Sequence, residues 1–257
     1  CKAHSASFAV ESFKSLYLKT YYPLEFMVAV INNFGGFYRT EVYLHEARMA
    51  GATIEAPCVN HSHLLTHVEG ETLYLGFIHL KDLTQETIET IVRERKQNGP
   101  YTGFGDFMHR TAIPREQLNI LIRIGALRFT AEPKKALLWQ KHHYLAATKT
   151  APAGLPAVGA EPEQQSGLPE LSDQPYEAAF EEIDLLGFPL TSPFELLQTS
   201  FRGEVYARQM LQYEGYRVRM VGYLVTRKHT TTVQGKAMNF GCFLDVEGQF
   251  FDTVHFP

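Results

Sequence analysis

The chain has 257 residues, 45% of them hydrophobic and 20% charged, enough to bury a sizeable core in one large or two to three small domains. Its formal net charge of −4 is local in origin: residues 148–207 carry two Lys+Arg against ten Asp+Glu, whereas residues 1–147 carry 16 against 14 and residues 208–257 six against four. The mildly basic ends therefore stay open to a polyanionic partner. Three cysteines, Cys1, Cys58 and Cys242, without pair spacing argue against a disulfide framework and for a reducing compartment, so a cytoplasmic location is expected. No stretch approaches the ~18 consecutive apolar residues of a membrane span, and none reads as a signal peptide, so no membrane partner is expected.

In chain order, Phe8, Ala9, Phe13, Leu16 and Tyr17 recur at helical spacing after Cys1–Ser5, which predicts an amphipathic helix. Pro23 marks the first position of a second helix over Leu24–Ile31, and a third, about Tyr38–Ala50, ends at Gly51. Residues 53–76 read as short strands, with a Glu69-Gly70-Glu71 turn between His63–Val68 and Thr72–Gly76. Thr84 can cap a helix carrying Ile88, Ile91 and Val92 that stops near Asn98-Gly99-Pro100. Short helices follow at Phe104–Arg110, at Pro114–Ile124 with Gly125 as its stop, and at Pro133–Ala146. Residues 148–175, rich in Pro, Ala, Gly and Glu, hold too little apolar mass to offset their ordering entropy and are expected to be a disordered linker. Tyr176–Leu186 reads as a helix stopped by Gly187, with another short one from Ser192-Pro193. In the last fifty residues the period changes to two. Val218, Met220 and Leu224 alternate with Arg217, Arg219 and Tyr223, and Met238, Phe240, Cys242 and Leu244 share a face, as do Phe250, Asp252, Val254 and Phe256. This predicts a curved antiparallel sheet of three strands, too few to close a barrel.

Several constellations could carry chemistry. Lys2, His4, Ser5 and Ser7 at a helix start suit a phosphate, through free N–H groups and the helix dipole, or are an ordinary cap; a Ser-His nucleophile lacks the sharp elbow that such chemistry needs. Cys58, His61, His63 and His67 could make a zinc site, but their spacing falls on a turn and strand and reads better as surface histidines, so no metal is expected in the chain. Tight turns at Leu80–Thr84 and Ile124–Leu127, with Lys81, Arg123 and Gly125, are what a helix-hairpin-helix offers to duplex phosphates, although ordinary helix pairs share them. Arg217, Arg219, Arg227, Lys228 and Lys236 interleave with Tyr223, Phe240, Phe243 and Phe251, as in sheets that track a single strand by stacking its bases. No D-x-D pair for two-metal phosphoryl transfer is present; Asp245-Val246-Glu247 reads as a turn.

Taken together and in order, these stretches resemble the bacterial replicative C-family polymerases, the DNA polymerase III alpha subunits. The stretch KAHSASFAVESFKSLYLKTYYPLEFM is similar to the family's fingers, and IEAPCVNHS to its "xPPDVNxS" stretch. YTGFGDFMHRTAIPREQLNILIRIGALR is similar to the helical hairpin ending "LIxxGA(F/L)D". FEEIDLLGFPLTSPFELL resembles the connector to the OB domain, and GKAMNFGCFLDVEGQFFDTVHFP the OB signature. The resemblance implies a mixed α+β chain with five parts: part of the fingers (1–78), tandem helix-hairpin-helix units (79–147), the linker (148–175), a helical connector (176–207) and the first part of an OB-type barrel (208–257). It implies partnership with primer-template and single-stranded DNA, and with replisome subunits such as the sliding clamp through a parent polymerase. Magnesium and the catalytic aspartates would lie elsewhere in that parent, so the chain alone is expected to incorporate no nucleotide. Lys2, His4, Ser5 and Ser7 would then face the nucleotide and primer terminus, Lys81, Arg123 and Gly125 duplex phosphates, and Arg219, Arg227, Lys228, Lys236, Phe240, Phe243 and Phe251 the single strand. Where the family's first hairpin has two glycines this chain has Asp82 and Thr84, which puts close backbone approach to a phosphate in doubt. A stand-alone, non-enzymatic DNA-binding adaptor built from the same modules is the alternative.

Overall fold

The computed structural model describes residues 2–34, 36, 38–150 and 175–257, which form eight α-helices and two three-stranded sheets. The expected mixed α+β class is thus the observed one. Three helices come first: α1 (Lys2–Tyr21), α2 (Pro23–Asn32) and α3 (Thr40–Met49). Pro23 opens α2, where its missing N–H costs nothing, and Gly51 (φ +99°) follows α3. α2 buries Met27 and Ile31 and α3 buries Leu44 and Ala47, but α1 buries no side chain.

A small sheet follows, of β1 (Thr53–Glu55), β2 (His67–Glu69) and β3 (Thr72–Tyr74) in the order β1-β3-β2. The expected turn joins β2 to β3 through Gly70 (φ +60°). β2 starts at His67 instead of His63, because the preceding backbone is bonded elsewhere. Thr66 exchanges two hydrogen bonds with the Asn32 side chain (2.8 and 2.9 Å), and the carbonyls of His63 and Leu64 accept from Phe77 and Ile78.

The helical middle comprises α4 (Gln85–Asn98), α5 (Phe104–Thr111), α6 (Arg115–Arg123) and α7 (Lys134–Thr150). Thr84 caps α4 as expected, its hydroxyl accepting from the Thr87 N–H. Leu73, Leu75, Phe77, Ile91, Phe107, Leu118 and Leu121 are fully buried. They belong to one apolar cluster that runs from Met27 to Phe188, across the boundary expected near residue 79. The linker expected over 148–175 falls outside the described residues for 151–174. Its ends are helical: α7 continues to Thr150, and α8 (Pro175–Leu186) begins at Pro175. α8 stops at Gly187 (φ +90°), and Leu185, Leu186 and Phe188 sink into the common core.

The second sheet is an open antiparallel meander of β4 (Tyr223–Thr231), β5 (Ala237–Leu244) and β6 (Phe250–His255), with a bulge at Val225. The strand pattern read over Arg217–Met220 is a correction: only Met220 pairs, in a single bridge to Gly203. Gly222, just before β4, lies close against the Phe251 ring, from which a Cβ would be 2.6 Å. The segment's backbone is bonded to residues 203–204 instead, the Arg219 carbonyl accepting from the Glu204 N–H (2.8 Å).

The sheet seats on α3. Arg39 donates to the Val225 carbonyl (2.7 Å), Tyr223 donates to Glu41 (3.2 Å), and His45 contacts the Gly248 carbonyl (2.8 Å) with its ring against Phe250. Burial raises the Glu41 carboxyl above its ordinary value of 4.5, against the lowering effects of Arg39 and the Tyr223 hydroxyl. A raised folded-state pKa favours neutral Glu41, so its contribution is complete below pH 4.5 and is lost as pH rises through the raised value. Glu41→Gln, neutral throughout, is expected to gain thermal stability relative to the parent as pH rises towards 7. Melting curves of the two proteins that stay parallel across that window would contradict this.

Candidate nucleic-acid interface

The first hairpin is built from the turn Phe77–His79 and residues 80–84 leading into α4. Asp82 takes φ +61°, the left-handed conformation that glycine favours and that Asp tolerates better than most residues. The bend is therefore kept without the glycine, but the Lys81 and Thr84 N–H groups on either side of it are occupied. Gln117 of α6 spans it, accepting from the Thr84 N–H at 2.7 Å and donating to the Asp82 carbonyl at 2.9 Å. The Lys81 N–H donates to the Leu185 carbonyl (2.9 Å) and its ammonium to the Asp184 carbonyl (3.0 Å), both at the end of α8.

At the second hairpin Gly125 has φ +76° and its N–H is bonded to Ile122. Arg123 pairs with Asp184 (2.7 Å) and Glu181 (3.6 Å), so Lys81 and Arg123 converge on α8. Arg128 is spent on the Ala56 and Pro57 carbonyls, and Lys141 is buried against Asn119 with its pKa lowered by that burial. Between α4 and α5, Tyr101 donates to the Ile91 carbonyl, lies under the Arg110 guanidinium (4.2 Å) and meets the Phe107 ring edge-on. Burial pushes its phenol up to about 12.

The register of the second sheet divides the residues expected to contact a single strand. Lys228, Phe240 and Val254 lie side by side across the three strands on one face, with Phe240 44% and Val254 47% exposed. Arg227, Gly241 and Thr253 form the adjacent row on the other face, as do His229, Asn239 and His255. Phe243 and Phe251 stack on each other (5.5 Å, 17°) on that second face, and Phe251 is buried. The expectation that Phe251 stacks a base is therefore corrected: its ring is packing for Gly222 and Phe243. Arg219 is turned to Glu204 (2.8 Å) and the Phe201 ring, and Lys236 sits in the β4–β5 turn, its N–H donating to Thr232.

The α1 cluster does not precede a helix; it lies inside one from its first residue. At about 100° per residue, Lys2 and Ser5 share one side while His4 and Ser7 share another. His4 packs edge-on against Phe8 (4.4 Å), and the Ser7 hydroxyl donates to the Ala3 carbonyl (3.1 Å). The histidines of the small sheet are likewise partnered: His61 stacks on Tyr74, His67 reaches Glu69 at 3.2 Å, and His63 meets Arg95, its pKa lowered by burial and by that guanidinium. Among the described residues no group of His, Cys, Asp and Glu has the geometry to hold a metal ion, and no helix is long and apolar enough to cross a membrane.

Sequence reasoning missed two contributors, Gln117 and the acidic side chains of α8. For α8 a signal existed: residues 151–186 contain eight Asp and Glu and no Lys or Arg.

Residues 51–137 match the helix-hairpin-helix motif family. The chain is 29% identical to an error-prone DNA polymerase of Mycobacterium tuberculosis, over 91% of this chain and 21% of that protein. It is 27% identical to a DNA polymerase III subunit alpha of Treponema pallidum, over 100% of this chain and 23% of that protein. With the corresponding subunit of Xylella fastidiosa it shares 30% identity over 58% of this chain and 13% of that protein. The chain thus spans no more than about a quarter of the length of these curated relatives.

Proposed function

We propose that this chain, a relative along its length of the bacterial DNA polymerase III alpha subunits and error-prone DNA polymerases, is the DNA-holding part of such a polymerase. Its open sheet, read as part of an OB-type barrel, tracks the single strand. The observation that carries this reading is the row Lys228–Phe240–Val254: a cation beside an exposed aromatic ring, on the part of the sheet face beyond the Phe250 contact with α3. A base can stack on Phe240 while Lys228 neutralises the neighbouring phosphate, and neither contact depends on base identity. Gln117 closes the first hairpin from within, so that hairpin serves as a rigid bracket and duplex contact falls to the second.

In the intact polymerase the same reading gives the α1 residues Lys2, His4, Ser5 and Ser7 the nucleotide side. Because they divide between two sides of the helix, one pair lines the pocket and the other backs it. Magnesium-dependent nucleotidyl transfer and sliding-clamp contact are, on this reading, properties of the intact enzyme.

The test is equilibrium binding of a fluorescent single-stranded oligonucleotide to the chain across a salt series. Lys228 lies in the row and Lys236 in the adjoining β4–β5 turn, while Arg227 is on the other face, so about one to two phosphates should be neutralised. The slope of log K against log salt is then expected at about −0.7 to −1.4. Binding that ignores salt, or none at low salt, would overturn the proposal.

A further inference from the structure

We propose that α8 is an internal stand-in for duplex phosphate, a brake that holds the basic side of the second hairpin until DNA competes for it. The inference rests on the reading that this hairpin faces duplex DNA. Four cations from three elements meet one acidic helix. Glu181 bridges Arg123 (3.6 Å) and Lys134 (2.8 Å), Asp184 takes Arg123 (2.7 Å), and Glu177 takes Lys135 (3.0 Å). The last carbonyls of the helix then receive both donors of Lys81. Beside the second hairpin, carboxylates thus sit where phosphate oxygens would be bound, on the Arg123 guanidinium and the Lys134 and Lys135 ammonium groups.

The two sides of α8 differ in how firmly they are held. Leu185, Leu186 and Phe188 are buried in the core and anchor its end. Its ionic side is wetter, with the Asp184 side chain 64% and that of Glu177 40% exposed. Ion pairs in such surroundings are worth about 0–1 kcal/mol each. A duplex, with one charge per ~1.7 Å of axis and counterions to release, can displace them. The contacts therefore lower duplex affinity without abolishing it, and leave the sheet's Lys228–Phe240 row untouched.

The experiment compares the full chain with its Glu177→Gln/Glu181→Gln/Asp184→Asn variant, using a labelled duplex and a labelled single strand in low salt. A second triple variant at exposed positions away from α8, Glu25→Gln/Glu71→Gln/Glu214→Gln, changes net charge equally. The α8 variant is expected to bind duplex about tenfold tighter, with the salt slope steeper by about two to three from the freed cations, and the control less than about twofold tighter. Equal gains in the two variants would overturn the brake. If the α8 variant melts early, Asp184→Asn alone, at the most exposed of these carboxylates, should still give about a two- to threefold gain; no gain from it counts against the brake. Unchanged duplex binding with intact single-strand binding sinks the brake but leaves the proposed function standing. Failure of every protein to bind either DNA sinks both.

Discussion

Phe107→Ala is expected to lower the unfolding free energy by about 3–5 kcal/mol, a large share of the 5–15 kcal/mol typical of a folded domain. The ring is completely buried and meets Tyr101 edge-on, with centroids 4.9 Å apart. Tyr101 in turn ties the Ile91 carbonyl of α4 to Arg110 of α5, and Arg110 donates to the Glu94 and Gly99 carbonyls. Truncation would leave a cavity beside a polar network that cannot collapse into it. Phe13→Ala in α1, where the ring is 74% exposed, should by contrast change stability by less than about 0.5 kcal/mol. Denaturant unfolding of both variants checks the pair, and similar losses for the two would mean that the core has been misplaced.

Local rules carried much of the fold. Pro23, Thr84 and Gly125 punctuate helices by backbone chemistry that acts within a few residues, and the β2–β3 turn at Gly70 is likewise local. What escaped was long-range. The Gln117 clasp joins positions 33 and 35 residues apart, and no periodicity announces that a glutamine will serve as the partner of a hairpin's backbone. The apolar spacing of Phe8, Phe13 and Leu16 correctly indicated a helix, but spacing does not say whether the apolar side is covered, and in this structure it is exposed. Alternation identified strands in the tail without saying which face is open. That took the register, which put Lys228 with Phe240 and left Arg227 and Phe251 on the other side. The basic residues of the two hairpins were visible in the sequence, while the carboxylates and carbonyls that hold them lie on a helix beyond residue 174.

The second large effect concerns Phe240. Stacking of one base on an aromatic ring is worth about 1–3 kcal/mol, or about fivefold to a hundredfold and more in affinity. Phe240 is the aromatic ring exposed beside Lys228, whereas Phe243 and Phe251 stack on each other. His229 supplies a matched control: a ring on the same sheet, one residue along β4 from Lys228 and on the opposite face. Neither substitution empties a core, since both side chains are exposed. The most direct measurement is therefore single-strand affinity, by fluorescence anisotropy at fixed salt, of the unaltered chain, Phe240→Ala and His229→Ala. The account predicts a loss of at least about fivefold for Phe240→Ala and less than about twofold for His229→Ala. A larger loss for His229→Ala, or no loss for Phe240→Ala, would contradict it.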